Sequence, residues 1–163
     1  MNIIRIVASI CLIVWPFPAQ STQPTAEGVW QIADDAGNPT GWFKIYMRDG
    51  VYEGQIVKIF FGRGEDAASV LCRACQGIQK DAPALGLTFI IGMKKDGLLY
   101  ENGRILNPLD GHLYRARMLL NDDGTSLLVQ VYLSADRLGT PRTWTRVPDG
   151  PETNQLMAMP ADR

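Results

Sequence analysis

Much of what would point to catalysis is missing from this sequence. One histidine, His112, and three cysteines stand among 163 residues. A serine–histidine–acid triad would have to run through His112, and there is no Gly-x-Ser-x-Gly elbow to supply its serine. A tetrahedral metal site needs four ligands, and no second histidine or further cysteine pair completes one, so neither metal nor cofactor is expected. An excess of positive charge is missing too. Sixteen basic against 17 acidic residues leave a net charge of −1, whereas a general nucleic-acid binder gains affinity by displacing counterions with surplus cations. Helical periodicity is absent outside residues 65–76, and there is one long apolar run. With 16 Gly and 10 Pro, a chain this poor in helical pattern is expected to be rich in turns.

The apolar run opens the chain. Met1 to Ala19 carries one basic residue, Arg5, followed by a stretch closed by Pro16 and Pro18. About 14 apolar residues are too few to cross a bilayer, which takes about 20, and suit the core of an export signal. Cleavage is expected after Ala19, with Ala26 as the alternative because Phe17 stands where a small residue is preferred. Ile10 before Cys11 argues against lipidation. The remaining chain is expected to be soluble, without a transmembrane segment, in the periplasm or secreted.

What recurs in that chain is Asp-Gly, at residues 49–50, 96–97, 110–111 and 123–124. Both residue types tolerate the positive φ of tight hairpins. Between these turns the apolar residues alternate: Phe43, Ile45 and Met47 on β-like parity, then Tyr114, Ala116, Met118 and Leu120, then Leu127, Val129, Val131 and Leu133. Period two with one apolar face describes a sheet lying against a core. Strands are expected over 28–34, 41–48, 51–61, 86–92, 98–106, 112–120, 126–134 and 142–147. Eight successive antiparallel strands close most simply into an up-and-down barrel, which removes both edges; an open or two-layer sheet is the alternative. Residues 148–163, with three Pro and no alternation, read as a flexible tail on which Leu156, Met157 and Met159 lie against the barrel.

Link lengths distinguish the two ends. Tight turns at Gly50, Gly97 and Gly124 share one end. The other carries Asp35 to Thr40, the long Gly62 to Leu85 with a short helical turn, and Ser134 to Pro141. A ligand would enter at the long-loop end, between Phe43, Ile45, Met47, Tyr114, Met118, Val129 and Val131. Lys58 shares parity with Tyr52 and Ile56, which would turn it inward toward an anionic headgroup. The competing parity of Val57 and Ile59 would turn it outward.

Two resemblances follow from these residues. Gly28-Val29-Trp30 opening the first strand, with Arg146 near the end of the last, resembles the lipocalin and wider calycin barrels. It implies that Arg146 packs over Trp30 where the barrel closes, a cation–π contact of about 0.5–2 kcal/mol. A broader likeness runs through Glu27-Gly28-Val29-Trp30, Tyr52 to Lys58, Leu71-Cys72-Arg73-Ala74-Cys75, Leu85-Gly86-Leu87-Thr88, Gly103 to Pro108 and Thr143 to Val147. In that order they are similar to a bacterial exported family known as domain of unknown function 2147. That resemblance implies export and a small barrel, and supplies no activity. The chain departs from it at Gly139-Thr140-Pro141-Arg142, where the family has a Gly-Arg-Thr-Gln run.

Cys72 and Cys75 are the cysteines that remain after the leader. In an exported protein they are expected to form a disulfide. A redox role would call for a helix N-terminus beside the first cysteine, and the surroundings read as all-β. Paired acids at 34–35, 65–66 and 122–123 sit in turns and read as turn chemistry. Two functions stand against each other. One is a non-enzymatic barrel binding a small apolar or amphiphilic molecule in its lumen. The other is a structural or interaction module of the envelope with a packed lumen and a contact surface of Trp42 and Tyr46. An enzyme has no residue constellation behind it.

Overall fold

The computed structural model describes residues 23–60, 70–135 and 137–161. The expected export signal, residues 1–19, lies outside them. Eight strands follow in order: β1 (Gly28–Ala33), β2 (Pro39–Arg48), β3 (Val51–Ile59), β4 (Thr88–Asp96), β5 (Leu99–Leu106), β6 (Leu113–Leu120), β7 (Ser126–Tyr132) and β8 (Arg142–Arg146). Each pairs antiparallel with the next. β1 also pairs with β8, Trp30 opposite Arg146 and Gln31 opposite Thr145, so the sheet is the closed eight-stranded barrel that the turn spacing predicts. Closure leaves no unpaired strand edge.

Local chemistry explains the turns. Asp49 and Gly50 alone join β2 to β3, with φ of +51° and +81°. Two successive left-handed residues give the hairpin whose twist matches its strands. β4 begins two residues later than expected and runs on to the Asp96-Gly97 turn. Its last residues, Lys94, Lys95 and Asp96, lack apolar alternation, yet they pair with Glu101, Tyr100 and Leu99.

A β-bulge settles Lys58. Phe43 pairs with Ile56, whereas Trp42 pairs with Lys58, which leaves Val57 as the extra residue. Inward parity therefore passes from Tyr52 and Ile56 to Ile59, and Lys58 is turned outward. Its Nζ lies 4.4 Å from the Trp42 ring and 2.7 Å from Glu152 Oε1. Alternation across a bulge cannot be read from parity alone.

Among the described residues the long link between β3 and β4 carries a 3-10 turn, Gly77–Gln79. Of the 65–76 stretch expected to turn helically, residues 65–69 lie outside the described residues, and residues 70–76 are non-helical, with Leu71 bridging Pro83. The C-terminal segment corrects the expectation of an unstructured tail: Pro151–Ala158 forms a helix, α1. Pro151 stands at its first position, where a missing N–H costs nothing. The Thr153 hydroxyl accepts the Gly150 N–H at 2.7 Å. α1 covers the outer faces of β1 and β2, where it buries Val29 and Lys44, and Lys44 Nζ donates to the Met159 carbonyl at 2.7 Å.

Candidate ligand-binding site

The barrel interior divides into two halves. At the tight-turn end, residues 23–27 lie across the opening. Ala26, fully buried, donates its N–H to the Tyr100 hydroxyl at 2.8 Å and accepts Trp30 Nε1 at 2.8 Å. Arg146 lies over the Trp30 ring, its Cζ 4.3 Å from the centroid. Its Nε donates to the Gly124 carbonyl, Nη1 to Glu27 and Nη2 to Thr25 at 2.6 Å each for the last two. Burial holds the guanidinium below its usual pKa. Tyr52 and Tyr100 meet edge to face at 4.9 Å. Around them Ile45, Met93, Met118, Leu120 and Leu127 are all buried. Even Gly54 leaves no space: a Cβ there would stand 2.5 Å from Ile90 Cδ1.

Toward the long-loop end the interior changes character. Phe43, Phe89 and Trp144 form a three-ring cluster, with centroids 4.8 Å, 5.0 Å and 6.0 Å apart. Ile32, Phe43, Ile59 and Val131 pack against the core while remaining partly exposed, and Ile32, Ile59 and Val131 stand at the long-loop ends of β1, β3 and β7. Trp144 is 4% exposed, and its Nε1 has no hydrogen-bond partner among the described residues. A buried donor left unpaired costs about 1–3 kcal/mol, which an acceptor placed there would recover. One side of this end is roofed by the Cys72–Cys75 disulfide, whose sulfurs belong to the same buried cluster. The Cys72 sulfur lies 3.5 Å from the Pro108 carbonyl. A Cβ at Gly111 would overlap the Ala74 carbonyl at 2.0 Å, so the β5–β6 link and the disulfide turn are in close contact. At the rim Arg142 pairs with Asp35, both exposed.

The residues singled out in the sequence are thereby sorted. Phe43 and Val131 pack partly exposed toward the long-loop end, with Tyr114 near it and Val129 beneath. Ile45 and Met118 lie in the packed half, fully buried. Met47, beside the Asp49-Gly50 turn, is 55% exposed, because the lumen ends before it. Lys58 is on the outer wall. Sequence alternation does not single out Phe89 and Trp144: Phe89 is the extra residue at a register shift between β3 and β4, beside the fully buried Ile90, and nothing in the sequence marks either ring as a neighbour of Phe43. Trp42 and Tyr46 are half-buried on the outer wall, each tied to a neighbour by its polar atom. Trp42 Nε1 donates to Gln31 Oε1 at 3.0 Å, and the Tyr46 hydroxyl donates to Glu53 at 3.1 Å.

Titratable groups are occupied with turn geometry. His112 is exposed, its Nδ1 3.0 Å from the Asp110 carbonyl oxygen. The Asn38 side chain holds the Asp34 carboxyl below its ordinary pKa, and the Thr125 hydroxyl does so for Asp123. At Asp110 burial pulls the other way and is outweighed by the His112 N–H, the Tyr114 hydroxyl and the Asn107 amide. That same bond to Asp110 raises the Tyr114 pKa. These carboxylates are kept ionised by neighbouring donors, the reverse of what a general acid at neutral pH requires. Among the described residues no three His, Cys, Asp or Glu side chains cluster as metal ligands do. No described helix is long and apolar enough to cross a membrane.

Comparison with known proteins adds two findings. Residues 28–146 match the family described as "Uncharacterized protein conserved in bacteria (DUF2147)". The fold is similar to a solved structure reported as "Protein HP1028 from the human pathogen Helicobacter pylori belongs to the lipocalin family". The two are 18% identical with a TM-score of 0.67, over 82% of this chain and 89% of that one. At that identity the likeness concerns the barrel alone. No curated protein matches the chain.

Proposed function

The chain belongs to that uncharacterised bacterial family, and from this premise we propose an exported, non-enzymatic carrier that takes a small apolar or amphiphilic molecule at the long-loop end of its barrel. The observation that carries the reading is the Trp144 indole, which with the Thr88 hydroxyl is one of two buried side-chain polar groups left without a hydrogen-bond partner among the described residues, and the one that lies within the aromatic cluster. Its indole N–H is unpartnered inside an aromatic cluster that opens onto Ile32, Ile59 and Val131. Pockets for small molecules pair apolar walls with one or two well-placed polar groups, and this arrangement has both. The molecule would lie against Phe43 and Trp144 with an acceptor atom toward Nε1. Ile45 and Met118 would serve as the floor. The apolar leader supports export, since it has the length and composition of a cleavable signal.

The test is titration with N-phenyl-1-naphthylamine, a neutral apolar fluorophore, into the mature protein. Micromolar binding with fluorescence enhancement is expected. Val131→Arg, a change at a partly exposed position, should abolish it while leaving the fold intact. Absence of binding, or equal binding by the variant, would leave the packed interaction module as the better account.

A further inference from the structure

The outer wall of β5, β6 and β7 carries a feature that the lumen does not use. A groove of about 410 Å³ lies there, with Arg104, Arg115, Arg117 and Tyr132 around it and Gly103 and Ala116 at its base. A β-bulge shapes it. Tyr100 pairs with Met118 and Gly103 with Ala116, so Glu101 and Asn102 together oppose Arg117, and Asn102 takes φ +62°. Bulges re-aim side chains and break the flat wall of a sheet.

The charge on this wall is unbalanced. Arg104 stands directly opposite Arg115 across the β5–β6 ladder, and like charges at opposed positions repel. None of the three guanidiniums takes part in an ion pair among the described residues. Arg115 lies over the Tyr132 ring at 5.3 Å, and Arg117 donates to Gln130 Oε1 through Nη2 at 2.8 Å. Glu101 is the one acid at the groove. It stands opposite Lys94, and its Oε1 accepts the Asn102 amide at 3.4 Å. Arg117 also borders a second depression of about 150 Å³, otherwise lined by Leu99, Leu119, Leu128 and Gln130. Leu119 and Leu128 pair across β6 and β7 and remain 48% and 40% exposed.

We infer that this wall is a second binding site, for a single anionic amphiphile. Its oxyanion head would sit between Arg104, Arg115 and Arg117, and its alkyl chain would cover Leu119 and Leu128. A multi-oxygen head matches the guanidinium fork and relieves the Arg104–Arg115 repulsion. The chain would cover leucines that the barrel leaves in water. The site is on the opposite face of the sheet from the lumen and stands or falls separately.

Dodecyl phosphate, below its micelle concentration, is the probe, followed by calorimetry against the mature protein. Inorganic phosphate and dodecyl maltoside supply the head alone and the chain with a neutral head. Dodecyl phosphate should bind more tightly than either. The double variant Arg104→Gln/Arg117→Gln should weaken it by about tenfold or more, the scale of losing charge-assisted bonds. Glu101→Gln should tighten it, and Val131→Arg should leave it unchanged. Sedimentation with vesicles of phosphatidylglycerol in phosphatidylcholine distinguishes a bilayer lipid from a free molecule, and uptake in either form upholds the site. Equal affinity for dodecyl maltoside or for inorganic phosphate, unchanged affinity in the double variant, or no binding at all would overturn it.

Discussion

The two ends of this barrel solve opposite problems with the same residue types. Each holds a buried tryptophan. Trp30, at the tight-turn end, gives its N–H to Ala26 and its ring face to Arg146. Trp144, toward the long loops, shares an aromatic cluster and has no partner for its N–H among the described residues. The first arrangement leaves nothing for a ligand to gain. The second leaves a donor whose desolvation is uncompensated, and that gives an incoming acceptor its advantage. Stability is therefore expected to concentrate at one end and recognition at the other.

The largest effect should come from Arg146. Replacement by Ala strands three backbone carbonyls and uncovers Trp30, and should destabilise by about 3 kcal/mol or more in urea unfolding. Arg146→Lys should recover only part, since an ammonium cannot reproduce the fork. Next, Leu120→Ala should cost about 2–4 kcal/mol, as a cavity in a closed core does, without touching probe binding. Val131→Arg reverses that pattern, with stability within about 1 kcal/mol and the probe lost. A variant that moved both properties together would merge the two halves.

Smaller effects sharpen the boundary. The Cys72–Cys75 bridge closes so short a loop that it removes little chain entropy. Cys72→Ala/Cys75→Ala should cost about 1–2 kcal/mol, mostly in packing, by thermal unfolding. Asp110 should contribute least. Its folded pKa is depressed, so its stabilisation is present above its ordinary value of about 4 and is lost as pH falls through the folded one. Asp110→Asn should accordingly lower the urea midpoint slightly near neutrality and flatten its fall below about pH 4.

Much of this division can be read from the chain, and the limits are physical. Asp-Gly turns and period-two alternation specify the barrel because both are local. The position of Arg146 over Trp30 could be anticipated because closure makes β1 and β8 neighbours. Its bonds to Thr25, Glu27 and Gly124 could not, since they depend on a segment that carries no strand pattern. Lys58 was ambiguous because a bulge at Val57 shifts parity without any sequence mark. α1 did leave a signal in Gly150-Pro151-Glu152, a sound helix start, but the three prolines of the segment masked it. Phe89 reaches the interior at a register shift that leaves no sequence mark, and only closure of the sheet brings it and Trp144 to Phe43.

The most direct test of the division between the halves is the indole N–H signals in a nitrogen–proton correlation spectrum of the mature protein. Trp30 and Trp42 donate to Ala26 and Gln31, while Trp144 has no acceptor among the described residues. Titration with N-phenyl-1-naphthylamine should shift the Trp144 indole peak and leave that of Trp30 in place. A stationary Trp144 peak at saturating probe, or equal shifts at Trp30 and Trp144, would contradict the account.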